Sequence, residues 1–183
     1  MKVIFYSATL FKTNLTITDK IVYSQLVYRS LWDCEDKPFD SDGTFSIEKY
    51  EINYEGYIPV GWTIDESISS VLNISRAQYF RSKAHLFELG YVSEYGIRLV
   101  TDVTANFFEL KTDTGLSGMR LIVYSYIAHK NKTYGWYDKY HVAMAKELGI
   151  KDVHNLEHIL TYLRENRFIS VKYRGKQTLL RAN

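Results

Sequence analysis

A chain of 183 residues that is 46% hydrophobic carries enough apolar material for one ordinary core or two small ones. Its formal charge of +2 is too small to argue for nucleic acid by amount, so only the placement of charge can do so. A single cysteine, Cys34, excludes an intrachain disulfide and a cysteine-based zinc site and fits a reducing compartment.

Residues Val3 to Tyr6 form a short apolar run, broken by Ser7, Thr9 and Lys12, that predicts a strand followed by a loop to Thr16. It is too short for a secretory core or a bilayer span, so the expectation is a cytoplasmic protein without a membrane partner. From a Thr18 cap to about Trp32, the positions Ile21, Val22, Leu26, Val27 and Leu31 share one face of a long helix. Turn chemistry follows at Lys37-Pro38 and between Asp40 and Gly43. Tyr50, Ile52 and Tyr54 then alternate with Glu51, Asn53 and Glu55 in the two-residue period of a half-buried strand. This acidic insertion, about 34–61, suits an arm that covers its own domain or pairs with another subunit better than one placed on a polyanion.

The most informative stretch is 62–92. Thr63 and Glu66 make a capping box for a short helix with Ile64, Ile68, Val71 and Leu72 on its inner face. Asn73 tolerates the left-handed conformation that ends a helix, and Ser75 with Gln78 opens the next one after a tight turn. That second helix turns Tyr79, Leu86 and Leu89 inward, with Ser82 or Lys83 between them, and stops at Gly90. Its other face shows Arg76, Gln78, Arg81 and His85, with no acidic residue before Glu88, so its N-terminal end is cationic where the helix dipole also favours phosphate.

Ile74-Ser75-Arg76-Ala77-Gln78 through Leu86-Phe87-Glu88-Leu89-Gly90-Tyr91-Val92 resembles the second half of a winged helix-turn-helix DNA-binding domain. Lys83 falls where that superfamily usually has an apolar residue. The resemblance implies that this helix is the recognition helix, that strands at 91–93 and 97–100 are the wing, and that the long helix behind is the first helix of the domain. An extended segment at 103–110 continues the wing, and 111–118, polar with two glycines, reads as a linker.

A second copy follows. Ile21-Val22-Tyr23-Ser24 recurs as Ile122-Val123-Tyr124-Ser125, both early in a long amphipathic helix. Asp138 is expected to cap a helix with Val142, Ala145 and Leu148 inward. Gly149-Ile150 then matches Asn73-Ile74, Asp152 caps a helix with Leu156, Ile159, Leu160 and Leu163 inward, and Phe168-Ile169 leaves it as Tyr91-Val92 did. The expected fold class is α+β, mainly helical: two tandem winged helix-turn-helix domains, 1–112 with the strand insertion and 113–183. The last helix of the second copy has a mixed face, with His154, Glu157, His158, Arg164 and Glu165. The hairpin after it is basic: Lys172, Arg174 and Lys176 share one strand face if the strand runs straight, or flank a turn at Gly175.

His154, Glu157 and His158 match the H-x-x-E-H spacing of a zinc helix, yet a peptidase also needs a distant carboxylate ligand and a large cleft. No phosphate-binding loop, dinucleotide fingerprint or nucleophile elbow occurs, and neither an enzyme nor a cofactor is expected. The leading expectation is a sequence-specific double-stranded DNA-binding protein, alone or as a homodimer. Its readers would be Arg76, Gln78 and Arg81; Ser75, Tyr79 and His85 would contact phosphates, and Lys172, Arg174 and Lys176 would grip the backbone. The tandem arrangement is similar to that of plasmid and phage replication initiators, and a transcription regulator has the same parts. A winged-helix protein-docking module is the alternative.

Overall fold

The computed structural model describes residues 3–32, 57–58, 67–93, 96–98, 107–138, 141–175 and 177–183, which fall into two units, Met1–Phe107 and Phe108–Asn183. The architecture is α+β and mainly helical, with small antiparallel sheets, as the periodicities imply. The Tyr50 to Tyr54 alternation, the Thr63–Glu66 capping pair, Cys34 and Lys176 lie outside the described residues.

Unit 1 runs through β1 (Val3–Tyr6), a 3-10 turn (Ser7–Phe11), α1 (Ile17–Trp32), β2 (Tyr57–Ile58), α2 (Ser67–Val71), α3 (Arg76–Glu88), β3 (Val92–Ser93) and β4 (Gly96–Arg98). The expected loop after β1 contains the 3-10 turn, in which the Thr9 hydroxyl donates to the Tyr6 carbonyl at 2.8 Å. Helix α1 is capped by Thr16, not Thr18. The Thr16 N–H donates to Asp19 Oδ2 at 2.8 Å and the Asp19 N–H donates back to Thr16 Oγ1 at 3.1 Å. Only Thr16 has a carboxylate three residues on, which completes the reciprocal pair; Thr18 would face Ile21. Ile21, Val22, Tyr23, Leu26 and Val27 are buried along this helix and form the centre of the core.

The turn between α2 and α3 is built by Asn73, whose φ is 54°. Its N–H donates to Ser70 O at 3.3 Å and the Ile74 N–H to Ser69 O at 3.1 Å, the paired bonds that close a helix through a left-handed residue. Helix α3 ends the same way at Gly90, with Tyr91 N–H on Leu86 O at 2.9 Å and Gly90 N–H on Phe87 O at 3.0 Å. Its inward residues are Tyr79, Ser82 and Leu86; Ser82 takes the place the sequence left open, and Lys83 is half-buried. Strand β4 lies between β2 and β3, with Tyr57 opposite Arg98 and Val92 opposite Ile97.

Unit 2 repeats this order: β5 (Phe107–Leu110), a 3-10 turn (Thr112–Thr114), α4 (Gly118–Tyr134), β6 (Tyr137–Asp138), α5 (His141–Glu147), α6 (Val153–Glu165), β7 (Ile169–Arg174) and β8 (Gln177–Ala182). The last strand is again central, in the order β6-β8-β7. The repetition extends to single bonds. Ser24 Oγ accepts the Tyr6 N–H at 3.2 Å, and Ser125 Oγ accepts the Lys111 N–H at 2.9 Å. Tyr23 donates its hydroxyl proton to Arg98 O, Tyr124 donates to Asn183 O, and each ring meets, edge to face, the aromatic residue that follows the last helix, Tyr91 or Phe168. The Arg98 N–H binds Tyr91 O and the Asn183 N–H binds Phe168 O, at 3.0 and 2.9 Å. The recurring Ile-Val-Tyr-Ser is therefore a packing signature, in which the tyrosine ties the long helix to the hairpin and the serine ties it to the preceding strand.

Three expectations for this half are corrected. Residues 111–118 are not a free linker: they hold the 3-10 turn, with the Thr114 hydroxyl on Lys111 O at 2.7 Å. Asp138 ends β6, opposite Leu179, and does not cap α5, which starts at His141. Val142 is 66% exposed, whereas Met144, Ala145 and Leu148 face the core. The Gly149 turn and the Asp152 cap stand as expected, with Asp152 Oδ1 accepting the His154 N–H at 2.9 Å.

Candidate functional site

The N-terminal end of α3 is fixed by its own cap. The Gln78 N–H donates to Ser75 Oγ at 3.2 Å, and Gln78 Oε1 accepts the Ser75 N–H at 2.9 Å. Two of the otherwise unpaired donors of the first turn are thereby satisfied, and the first turn holds no acidic residue. Ser75, Arg76, Gln78 and Arg81 are all exposed. Arg81 Nε donates to Ala77 O at 3.3 Å, and the Arg76 guanidinium carbon lies 5.5 Å from the Phe80 ring centroid.

What sets the helix on its scaffold is a buried carboxylate. Asp19 of α1, 2% exposed, accepts the Ser82 hydroxyl at 2.5 Å and the His85 Nδ1–H at 2.9 Å, in addition to the Thr16 N–H. Burial pushes its pKa up, but the hydrogen bonds from Ser82, Thr16 and His85 outweigh that and hold it below the ordinary 3.8. One carboxylate thus caps α1 and clips α3 to it, beneath an open hollow rimmed by Thr18, Gln78 and Arg81. Its neighbour Lys20, also buried, donates to Leu10 O at 3.2 Å; burial lowers its pKa and the Asp19 charge works the other way.

In unit 2 the same junction uses different chemistry. The Arg120 guanidinium of α4 stacks on the Tyr162 ring of α6 at 3.7 Å, at the places that Asp19 and His85 hold in unit 1. The face of α6 carries a carboxylate, Glu157, within 3.2 Å of His154 Nδ1 and 3.7 Å of His141 Nδ1. Among the described residues no group of three or more histidine, cysteine, aspartate or glutamate side chains is arranged to hold a metal ion.

The hairpin of unit 2 projects. The base of β7 is packed at Ile169, while Lys172, Tyr173 and Arg174 are all exposed, Tyr173 at 69%. Lys172 lies opposite Leu179 and Arg174 opposite Gln177, so the two cations share one strand face. Gly175, at φ 61°, turns the chain immediately afterwards, which selects the turn over the straight strand. Arg181 of β8 lies over Trp136 at 6.0 Å.

Of the residues singled out from the sequence, the structure brings Ser75, Arg76, Gln78 and Arg81 together on one exposed helix end and leaves Lys172 and Arg174 on a separate basic hairpin. Tyr79 is corrected: it is 1% exposed, because it occupies the centre of the inward face, and it cannot contact phosphate. His85 is half-exposed with Nδ1 committed to Asp19, so it is first a positioning residue. Sequence reasoning missed Asp19 and the exposure of Phe80 and Phe87. Thr16 followed by Asp19 was a visible capping signal, but nothing local shows that the same carboxylate reaches residues 63 and 66 positions away. No helix of the described residues is long and apolar enough to cross a membrane. Comparison with protein-family profiles, curated proteins and solved structures finds no match.

Proposed function

We propose that this chain is a sequence-specific double-stranded DNA-binding protein built from two winged-helix modules, the first reading bases and the second holding the backbone. The observation that carries the proposal is the exposed, capped end of α3, whose first turn holds no acidic residue, with Arg76 and Arg81 outward and the helix clipped to α1 through Asp19. A cationic helix N-terminus on a rigid scaffold fits the major groove, where arginine pairs with guanine O6 and N7. The repeated order of long helix, helix-turn-helix pair and hairpin supports the winged-helix reading. Lys172 and Arg174, on the projecting hairpin, would neutralise phosphates without reading sequence. Glu157 on α6 disfavours entry of that helix into a groove, which is why the roles divide between the modules. A role in replication initiation or in transcription regulation fits the same parts. Protein docking by the second module is the alternative, since Glu157 beside His154 and His158 leaves the exposed face of α6 mixed in charge.

The test is a pair of double variants assayed on a duplex enriched from a random library. Arg76→Ala with Arg81→Ala should reduce the preference for that duplex over random DNA by about 10- to 100-fold per lost base contact. Lys172→Ala with Arg174→Ala should weaken binding to both DNAs alike. Unchanged preference and affinity in both variants would remove these residues from the interface, and failure to enrich any duplex would remove the proposal in favour of docking.

A further inference from the structure

The outward face of α3 is not polar along its length. Ala77, Phe80, Ala84 and Phe87 recur at i, i+3, i+7 and i+10, opposite the buried Tyr79, Ser82 and Leu86, and all four are exposed, Phe80 at 45% and Phe87 at 57%. Two large rings with alanines between them on an outer helix face call for something that covers them. Arg76 stands against Phe80 at 5.5 Å, Arg81 borders the other side, and the first carboxylate on the helix is Glu88. The partner is therefore both anionic and apolar at its contact points.

The polar side chains at this end are partly spent. Recognition of adenine by an amide needs both its oxygen and its nitrogen, and Gln78 Oε1 already accepts the Ser75 N–H at 2.9 Å. His85 Nδ1 is held by Asp19 at 2.9 Å. Gln78 Oε1 keeps a second lone pair, so a bidentate contact would have to be made with the amide held in place at the helix cap. The apolar group that a base pair presents in the major groove is the C5-methyl of thymine.

We infer that Phe80 and Phe87, with Ala77 and Ala84 allowing close approach, are specificity-determining residues that recognise thymine methyl groups in the major groove, beside the base contacts of Arg76 and Arg81, whose charge also brings α3 there. This rests on the duplex-binding reading above and deepens it: the site contains A·T pairs with their thymines toward the helix. The bases are told apart by methyl groups more than by amide hydrogen bonds.

The experiment keeps the protein constant and changes the DNA. A randomised duplex library is enriched on the full chain, and affinity is measured for the enriched duplex and for the same duplex with deoxyuridine at each thymine in turn. Loss of each contacted methyl should weaken binding about fourfold, the effect of one buried methyl-sized group. The variant Phe80→Ala with Phe87→Ala, whose substitutions lie on the exposed face, should bind the thymine and deoxyuridine duplexes equally. If the intact protein binds both duplexes equally and with strong salt dependence, the methyl contact is overturned while duplex binding stands. If no duplex is enriched, both fall. If sedimentation shows a dimer that the double phenylalanine variant dissolves, the stripe covers a second copy and the inference is overturned.

Discussion

Replacing Asp19 by alanine removes the acceptor on which Thr16 N–H, Ser82 Oγ–H and His85 Nδ1–H converge. Each bond to an ionised group contributes about 1.5–3 kcal/mol, but three bonds to one carboxylate do not add. Ser82, 4% exposed, would keep a buried hydroxyl without its acceptor. The expected loss is about 3 kcal/mol, which for a unit of this size lowers the melting midpoint by roughly 12–24 °C. The sign of the pH dependence follows from the pKa. Asp19 is held below the ordinary 3.8, so its contribution is present above that value and is lost as pH falls through the folded-state pKa. The gap between wild type and variant should be full at pH 7 and should close on acidification below the ordinary carboxylate range. Differential scanning calorimetry over a pH series measures this. Unit 2, where Arg120 stacks on Tyr162 in place of the carboxylate clip, serves as the internal reference. A midpoint within about 4 °C of wild type at pH 7, under the same per-kcal scale, would refute the clip, and so would a gap that persists unchanged in acid.

Other expectations concern the repeated scaffold. Arg167 ends α6 at φ 61° without being glycine, so Arg167→Gly should stabilise unit 2 by about 0.5–1 kcal/mol, the relief of left-handed strain less the added chain entropy. Gly90→Ala at φ +73° should cost roughly 1 kcal/mol from the backbone alone, because its Cβ would meet nothing within 4 Å; thermal melts check both. Tyr23→Phe and Tyr124→Phe each remove one bond from the long helix to the hairpin, at 2.5 and 2.9 Å. Each should cost about 1 kcal/mol and speed amide exchange in the hairpin of its own unit only.

The parts of the fold legible in the sequence are those specified within four or five residues. Ser75 with Gln78, Asn73, Gly90, Gly149 and Asp152 do in the structure what their local chemistry requires. The Ile-Val-Tyr-Ser repeat was legible as an identity but not as a mechanism, because the partners of its tyrosine lie 75 and 59 residues away. Short strands were hidden for a different reason: β6 is two residues long, too short for an alternation, so Asp138 looked like a cap. Val142 was misplaced because the inward face of α5 centres on Met144, Ala145 and Leu148, and in a helix of seven residues Val142 falls in the first turn, to one side of that face. At the candidate site the charged end of α3 was visible as composition. The carboxylate that fixes it was not, since an aspartate in the first turn of a helix has an ordinary local explanation in the helix dipole. Phe80 and Phe87 were overlooked because apolar residues on two sides of one helix give periodicity no means of choosing which side is inward.

The central claim, that the exposed end of α3 enters a duplex, is tested most directly by titrating the protein against a fluorescent duplex across a range of salt concentrations. A protein that displaces counterions with Arg76, Arg81, Lys172, Arg174 and their neighbours should give a log-log slope of about −4 to −6, and the slope should fall by about one for each of these cations removed. A slope near zero, or one unaltered by Arg76→Ala with Arg81→Ala, would contradict the claim.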